Sequence, residues 1–157
     1  MFDAQKLFTV HAVDRKLAEA IQHKIDQKTK PTGALGVLEN VALQIALIQK
    51  SLTPTLIKPH LLLFAGDHGI VAEGVSPFPQ VVTQQMVQNF VNGGAAINVF
   101  CKQHNIAIDV VDAGVNADLS GLPITQAKVA PGTKNFLNEA AMTAAQCEQA
   151  IARGATL

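Results

Sequence analysis

An α/β fold, the front part of a doubly wound parallel sheet preceded by a helical hairpin, is what this sequence predicts. Three observations carry that expectation. Two short apolar runs, Leu61-Leu62-Leu63-Phe64-Ala65 and Ile106-Ala107-Ile108-Asp109-Val110-Val111, are bounded by breaker residues. Runs of this kind read as strands buried on both faces of a parallel sheet. A helix-length segment separates them, and strand, helix, strand in that order form a βαβ unit with a right-handed crossover. Ahead of both strands, residues 1–52 are helical in pattern. The expected organisation is therefore a helical segment at 1–52, part of a smaller helical domain, and an incomplete Rossmann-like α/β domain at 58–157.

In the helical segment, Val13, Leu17, Ala20, Ile21, Lys24 and Ile25 place a stripe at helix spacing, with Asp14 in the first turn. Lys28-Thr29-Lys30-Pro31-Thr32-Gly33 interrupts it. A second helix is predicted from about Leu35, with Leu38, Val41, Ala42, Ile45 and Ile48 forming its stripe. Residues 51–59, with Pro54 and Pro59, read as a linker. The first strand ends in Gly66-Asp67-His68-Gly69, and a polar loop runs on through Pro79. One long helix is predicted over 80–104. The second strand ends in Asp112-Ala113-Gly114-Val115, and a third is expected at 124–130. A last helix starts at Thr143, where Thr143-x-x-Gln146 has the spacing of a capping box.

Composition narrows the function. The 157 residues carry twelve Lys and Arg against twelve Asp and Glu, for a formal net charge of zero. Neither a basic cluster nor an aromatic stacking platform is present, since there are seven Phe but no Trp or Tyr. That argues against nucleic acid as a partner. Charged residues make up 15% of the chain, below the roughly 25% of a typical soluble domain. Such a sparse surface suggests that part of it is covered by another subunit or segment. No apolar run approaches the roughly 20 residues of a membrane helix, and the first residues lack a secretory signal pattern. Cys101 and Cys147 have no metal or redox spacing. They read as reduced thiols of a cytoplasmic protein.

Ligands of open α/β sheets bind outside the carboxyl ends of the strands. Asp67 and His68 follow the first strand there, and Asp112 and Gly114 end the second. His68 beside Asp67 is either an acid–base or metal pair, or a loop donor next to a turn-capping carboxylate. Neither a dinucleotide fingerprint nor a P-loop is present. Glu73-Gly74-Val75-Ser76-Pro77-Phe78-Pro79-Gln80 is a stiffened loop. With Gln84 it offers hydrogen-bonding groups and an aromatic face, as a pocket for a flat heterocycle would. It also reads as a plain connection into a Pro-initiated helix. Gly93-Gly94-Ala95-Ala96 fits close helix–sheet packing better than a phosphate cradle. Lys30, near Gly33 and Gly36, is a phosphate ligand or a solvated turn lysine.

Several of these segments, taken together, resemble one family. Lys28-Thr29-Lys30-Pro31-Thr32-Gly33-Ala34-Leu35-Gly36-Val37-Leu38-Glu39 is similar to the Lys-Pro-x-Gly-Ser-Leu-Gly-x-Leu-Glu signature of the nicotinate-nucleotide:dimethylbenzimidazole phosphoribosyltransferases. Phe64-Ala65-Gly66-Asp67-His68-Gly69-Ile70 and Glu73-Gly74-Val75-Ser76-Pro77-Phe78-Pro79-Gln80-Val81-Val82-Thr83 resemble its longest motif. Asn92-Gly93-Gly94-Ala95-Ala96-Ile97-Asn98, Asp109-Val110-Val111-Asp112-Ala113-Gly114-Val115, Gly132-Thr133-Lys134-Asn135-Phe136 and Ala141-Met142-Thr143 follow in family order. Ala34 stands where a Ser is usual, Val37 where a basic residue is common, and Ala140 where a Pro precedes Ala-Met-Thr.

The resemblance implies transfer of phosphoribose from nicotinate mononucleotide to 5,6-dimethylbenzimidazole, in the lower-ligand branch of cobalamin biosynthesis. It implies no metal and no organic coenzyme, a doubly wound domain with a smaller helical one, and a cytoplasmic homodimer. Ser76, Phe78 and Gln84 are the implied benzimidazole-pocket residues, and Asp67 and His68 the implied floor of the site. The family's general-base Glu has no counterpart here, because neither Glu73 nor Glu139 matches its motif. Family members are longer than 157 residues. The expectation is therefore an amino-terminal half, inactive by itself and completed by its carboxyl-terminal half. The alternatives are a non-catalytic azole-binding or interaction module and, more remotely, a metal hydrolase using Asp67, His68 and Asp112.

Overall fold

The computed structural model describes residues 11–157. The amino-terminal residues read above as lacking a secretory signal lie mostly outside them. The chain divides into two compact units, a helical one ending at Ile57 and an α/β one from Lys58 to Leu157.

The helical unit contains α1 (Ala18–Asp26) and α2 (Val37–Ile48). Helix α1 starts later than predicted. Asp14 Oδ1 accepts the Lys16 amide at 3.0 Å, an Asx turn ahead of the helix and not a residue of its first turn. The helices pack through Ile21, Ala46 and Leu47, with Leu17, Ile25 and Leu43 around them. The predicted stripe of α2 was the wrong one: Leu38, Val41 and Ile48 are 65%, 46% and 59% exposed. Helix α2 is apolar on several faces, and periodicity cannot choose between faces that are all apolar. The predicted linker is also anchored, since Gln49 and Thr55 exchange two hydrogen bonds and Lys24 Nζ donates to Leu52 O at 2.7 Å.

In the α/β unit, β1 (His60–Gly66) pairs in parallel with β2 (Ala107–Gly114), Leu63 opposite Val110. A short β3 (Thr125–Gln126) pairs in parallel with the other edge of β2, giving the order β1-β2-β3. The expected third strand is cut to two residues. Beyond it, Ala127 N still donates to Asp112 O, while the Lys128 ammonium turns to the Asp112 carboxylate at 3.0 Å. The core comprises Ala65, Val87, Val110, Val115 and Leu119, with Leu63 and Phe90 packed against it. β1 is not buried on both faces as predicted: Leu62 and Phe64 are 43% and 52% exposed. The helix between the strands covers the face of Leu63 and Ala65, and the alternate residues lie on the other face.

The long helix predicted over 80–104 is two helices, α3 (Val81–Val91) and α4 (Ala96–Gln103). Gly93 takes φ +77°, the left-handed conformation that ends a helix, and Gly94 N donates to Asn89 O at 3.0 Å. Asn98 restarts the chain: its Oδ1 accepts from Ala95 N and its Nδ2 donates to Phe90 O. The glycine pair is a helix stop, and no sheet atom is among the nearest neighbours within 4 Å of where a Cβ on either glycine would stand. The last helix, α5 (Ala144–Ala155), has the predicted capping box. Thr143 Oγ1 accepts the Gln146 amide, and Gln146 Oε1 accepts the Thr143 amide. A 3₁₀ turn over Gly69–Glu73 occupies part of the predicted polar loop.

Candidate functional site

The segments leaving β1, β2 and β3 are tied to one another. Asp67 N donates to Gly114 O at 3.0 Å, Thr133 N to Asp67 O at 3.0 Å and Gly69 N to Thr133 O at 3.1 Å. Gly69 is required for this approach. A Cβ there would stand 2.5 Å from Asn135 N and 2.6 Å from Lys134 C. Gly132, at φ +82°, supplies the complementary turn, against the Asp67 carbonyl.

The two carboxylates at the strand ends differ from each other in surroundings. Asp112 is fully buried. Its Oδ1 accepts the Gly114 and Val115 amides at 3.1 and 2.9 Å, and its Oδ2 lies 3.0 Å from Lys128 Nζ. It is engaged in holding the exit from β2, so the metal-hydrolase alternative loses one of its three residues. Asp67 is also buried, and its Oδ2 accepts the Asn116 amide at 2.7 Å. The Asp67 carboxylate thus ties the segment leaving β1 to the one leaving β2, while His68 beside it is exposed. No ion pair joins the two, and among the described residues no group of three or more His, Cys, Asp or Glu is placed to hold a metal.

A cavity of about 310 Å³ opens beside these segments. Asp67 and His68 line it together with Gly114, Thr133, Met142 and Gln146. Its wall is largely apolar, with Phe64 in it and with Lys134 and His68 among its polar members. Thr133 and Met142 had no assigned role in the sequence, and Gln146 was read there only as part of the Thr143 capping box. The signal that could have found them was their place in or next to segments already matched to the family, at 132–136 and 141–143.

Ser76, Phe78 and Gln84 do not line this cavity. Ser76 is half-buried and its Oγ accepts the Phe78 amide at 3.2 Å, a local turn around the first of the two prolines. Phe78 is 65% exposed, and Gln84 sits half-buried on the first turn of α3. The predicted residues therefore form two groups, one around the cavity and one on the loop and helix that follow. Asn116 and Asn135 touch the ends of that loop; Asn135 lies inside the 132–136 segment matched to the family, and Asn116 directly follows the one at 109–115. Glu73, at its start, has its carboxylate taken by Asn135 Nδ2 at 2.5 Å.

Lys30, in the helical unit, is neither a free phosphate ligand nor a solvated lysine. Its Nζ lies 2.8 Å from Glu39 Oε1, with both side chains about nine-tenths buried. Glu39 Oε1 also accepts the Leu35 amide. The Lys30 ammonium, with the Leu35 amide second, holds the Glu39 carboxyl below its ordinary range.

A phosphoribosyltransferase family model, DBI_PRT, matches residues 10–157. Proteins named nicotinate-nucleotide–dimethylbenzimidazole phosphoribosyltransferase are similar to the chain in sequence. That of Dechloromonas aromatica is 54% identical over 151 residues, 96% of this chain and 43% of its own length. That of Aromatoleum aromaticum is 52% identical, over 96% of this chain and 44% of its own length. A solved structure of the Thermus thermophilus enzyme of that name superposes with a TM-score of 0.83 at 44% identity, covering 90% of this chain and 43% of the other. The chain thus spans less than half the length of these relatives. The match runs from residue 10 to the last residue and carries sequence and fold together: this chain belongs to the DBI_PRT phosphoribosyltransferase family.

Proposed function

We propose that this chain carries part of the active site of a phosphoribosyltransferase that moves phosphoribose from nicotinate mononucleotide to 5,6-dimethylbenzimidazole, releasing nicotinate and forming α-ribazole 5′-phosphate. The observation that carries the reading is the family match over residues 10–157, with the motifs at 64–70 and 109–115 running through the carboxyl ends of β1 and β2. In the nucleotide, nicotinate is a cationic pyridinium and departs as a neutral ring. One azole nitrogen attacks the anomeric carbon with inversion, and the proton on the other nitrogen passes to a carboxylate. Such a reaction asks chiefly for alignment of two flat rings about the sugar.

In this reading Ser76, Phe78 and Gln84 hold the benzimidazole, and Asp67 and His68 form the floor. The engagement of Glu73 by Asn135 supports leaving the base unassigned among the carboxylates of this chain. The reading carries with it a cytoplasmic homodimer without metal or organic coenzyme, a Rossmann-like doubly wound domain at 58–157, and a helical segment at 1–52 belonging to a smaller domain. No helix among the described residues is long and apolar enough to cross a membrane.

Titration of the chain with 5,6-dimethylbenzimidazole, followed by the fluorescence of the azole, tests the assignment. Saturable binding weakened by Gln84→Ala supports it. Absence of binding at millimolar azole overturns the placement of the azole on this chain. Chromatographic assay for α-ribazole 5′-phosphate, using protein isolated at its native length, tests the reaction itself.

A further inference from the structure

We propose that Asn135 and Asn116 are positioning residues, pinning the two ends of the 74–79 loop so that Ser76 and Phe78 are presented in one fixed place. The inference rests on the reading of that loop as the azole wall.

The loop has little else to hold it. It begins at Gly74, in the left-handed conformation at φ +71°, and ends at the turn into α3. Its internal hydrogen bond joins the Phe78 amide to Ser76 Oγ. At its start, Glu73 Oε1 accepts from Asn135 Nδ2 at 2.5 Å. At its end, Gln80 Oε1 accepts from Asn116 Nδ2 at 3.3 Å. Each asparagine belongs to a segment leaving a different strand, β2 for Asn116 and β3 for Asn135.

Both pins are themselves fixed. Asn135 Oδ1 accepts the Leu137 amide at 3.0 Å, which sets the orientation of the carboxamide and leaves its NH₂ facing Glu73. The Asn135 backbone follows directly on the Thr133 and Lys134 atoms against which Gly69 packs. Asn116 donates its amide to Asp67 Oδ2 at 2.7 Å. The two ends of the loop are thereby tied, through two side chains, to the segments that surround the cavity. Of the two, the Asn135–Glu73 bond is the stronger, because its acceptor is charged.

Asn135→Asp tests the pin with little change of shape. The aspartate still accepts the Leu137 amide but turns a second carboxylate toward Glu73. Adding Glu73→Gln restores the bond with donor and acceptor exchanged. In Asn135→Asp, amide hydrogen exchange at Gly74 and Phe78, the loop amides that donate to Val71 O and Ser76 Oγ, rises about tenfold in the free chain, the worth of one charge-assisted bond. Azole affinity falls by a similar factor. Both return toward the wild-type values in the double variant. Glu73→Ala, at an exposed position, accelerates the same amides and serves if Asn135→Asp does not fold. Unchanged exchange at these amides in either single variant, or no recovery in the double variant, overturns the pin. Exchange that responds as stated in a chain that binds no azole leaves the pin standing and removes the azole-wall reading instead.

Discussion

Lys30 Nζ and Glu39 Oε1 lie 2.8 Å apart across the turn that joins α1 to α2, and together they close the family's first signature on itself. The Lys, the two turn glycines and the Glu of that signature cooperate in one structural unit. Gly33 and Gly36 take φ +76° and +55°, which lets the chain double back and bring Lys30 over the third residue of α2. The carboxylate there also complements the positive end of the helix.

This pair predicts an acid-sensitive helical unit. Glu39 is held ionised below its ordinary value of 4.5, so its contribution is present above that value and lost as pH falls through the lowered one. Glu39→Gln removes that dependence. Circular dichroism followed from pH 6 to pH 3 should show a shallower loss of helix in the variant than in the parent chain.

Gly69 and Gly74 predict opposite kinds of cost. Alanine at Gly69 meets backbone atoms at 2.5–2.8 Å that no side-chain rotation can relieve. We expect a loss of about 3 kcal/mol, at the upper end for overpacking. At Gly74 nothing lies within 4 Å, and the cost is that of the left-handed backbone, about 1 kcal/mol. Urea unfolding of the two variants separates them.

The buried Asp112 predicts a large effect from a single exchange. Asp112→Ala strands the Gly114 and Val115 amides and leaves the Lys128 ammonium without its carboxylate. The expected loss is about 3–5 kcal/mol. Asp112→Asn keeps an acceptor for the two amides and should fall between it and the parent chain in urea midpoint.

On the proposed azole wall, Ser76→Ala removes a hydroxyl from a half-buried turn and leaves the core untouched. Dimethylbenzimidazole affinity should fall about fivefold, the worth of one neutral hydrogen bond, with the melting temperature unchanged. An unchanged affinity would take Ser76 out of the site.

Local signals were legible in the sequence, and long-range ones were not. Both principal strands and the Thr143 capping box were read from a few adjacent residues, because apolar runs and cap spacings are local. The break at Gly93 was missed because isolated glycines inside a helical pattern are tolerated; only the φ of Gly93 and the double role of Asn98 make this one a stop. The buried face of α2 depended on where α1 lay. Residue chemistry marked the 73–80 loop with Gln84 as either a heterocycle pocket or a plain connection, and the resemblance then assigned Ser76, Phe78 and Gln84 to the azole. Asn116 and Asn135 act on residues 36 and 62 positions away, a relationship no window along the chain contains.

The 74–79 loop is fastened at its ends and nearly unattached along its length. Its tip residues can be exchanged without opening the core or unpicking the strand exits. If the loop is the azole wall proposed above, natural drift in which flat base is accepted would accumulate at positions 75–79, as interchangeable fittings on a fixed bracket, while Glu73 and Asn135 change only together.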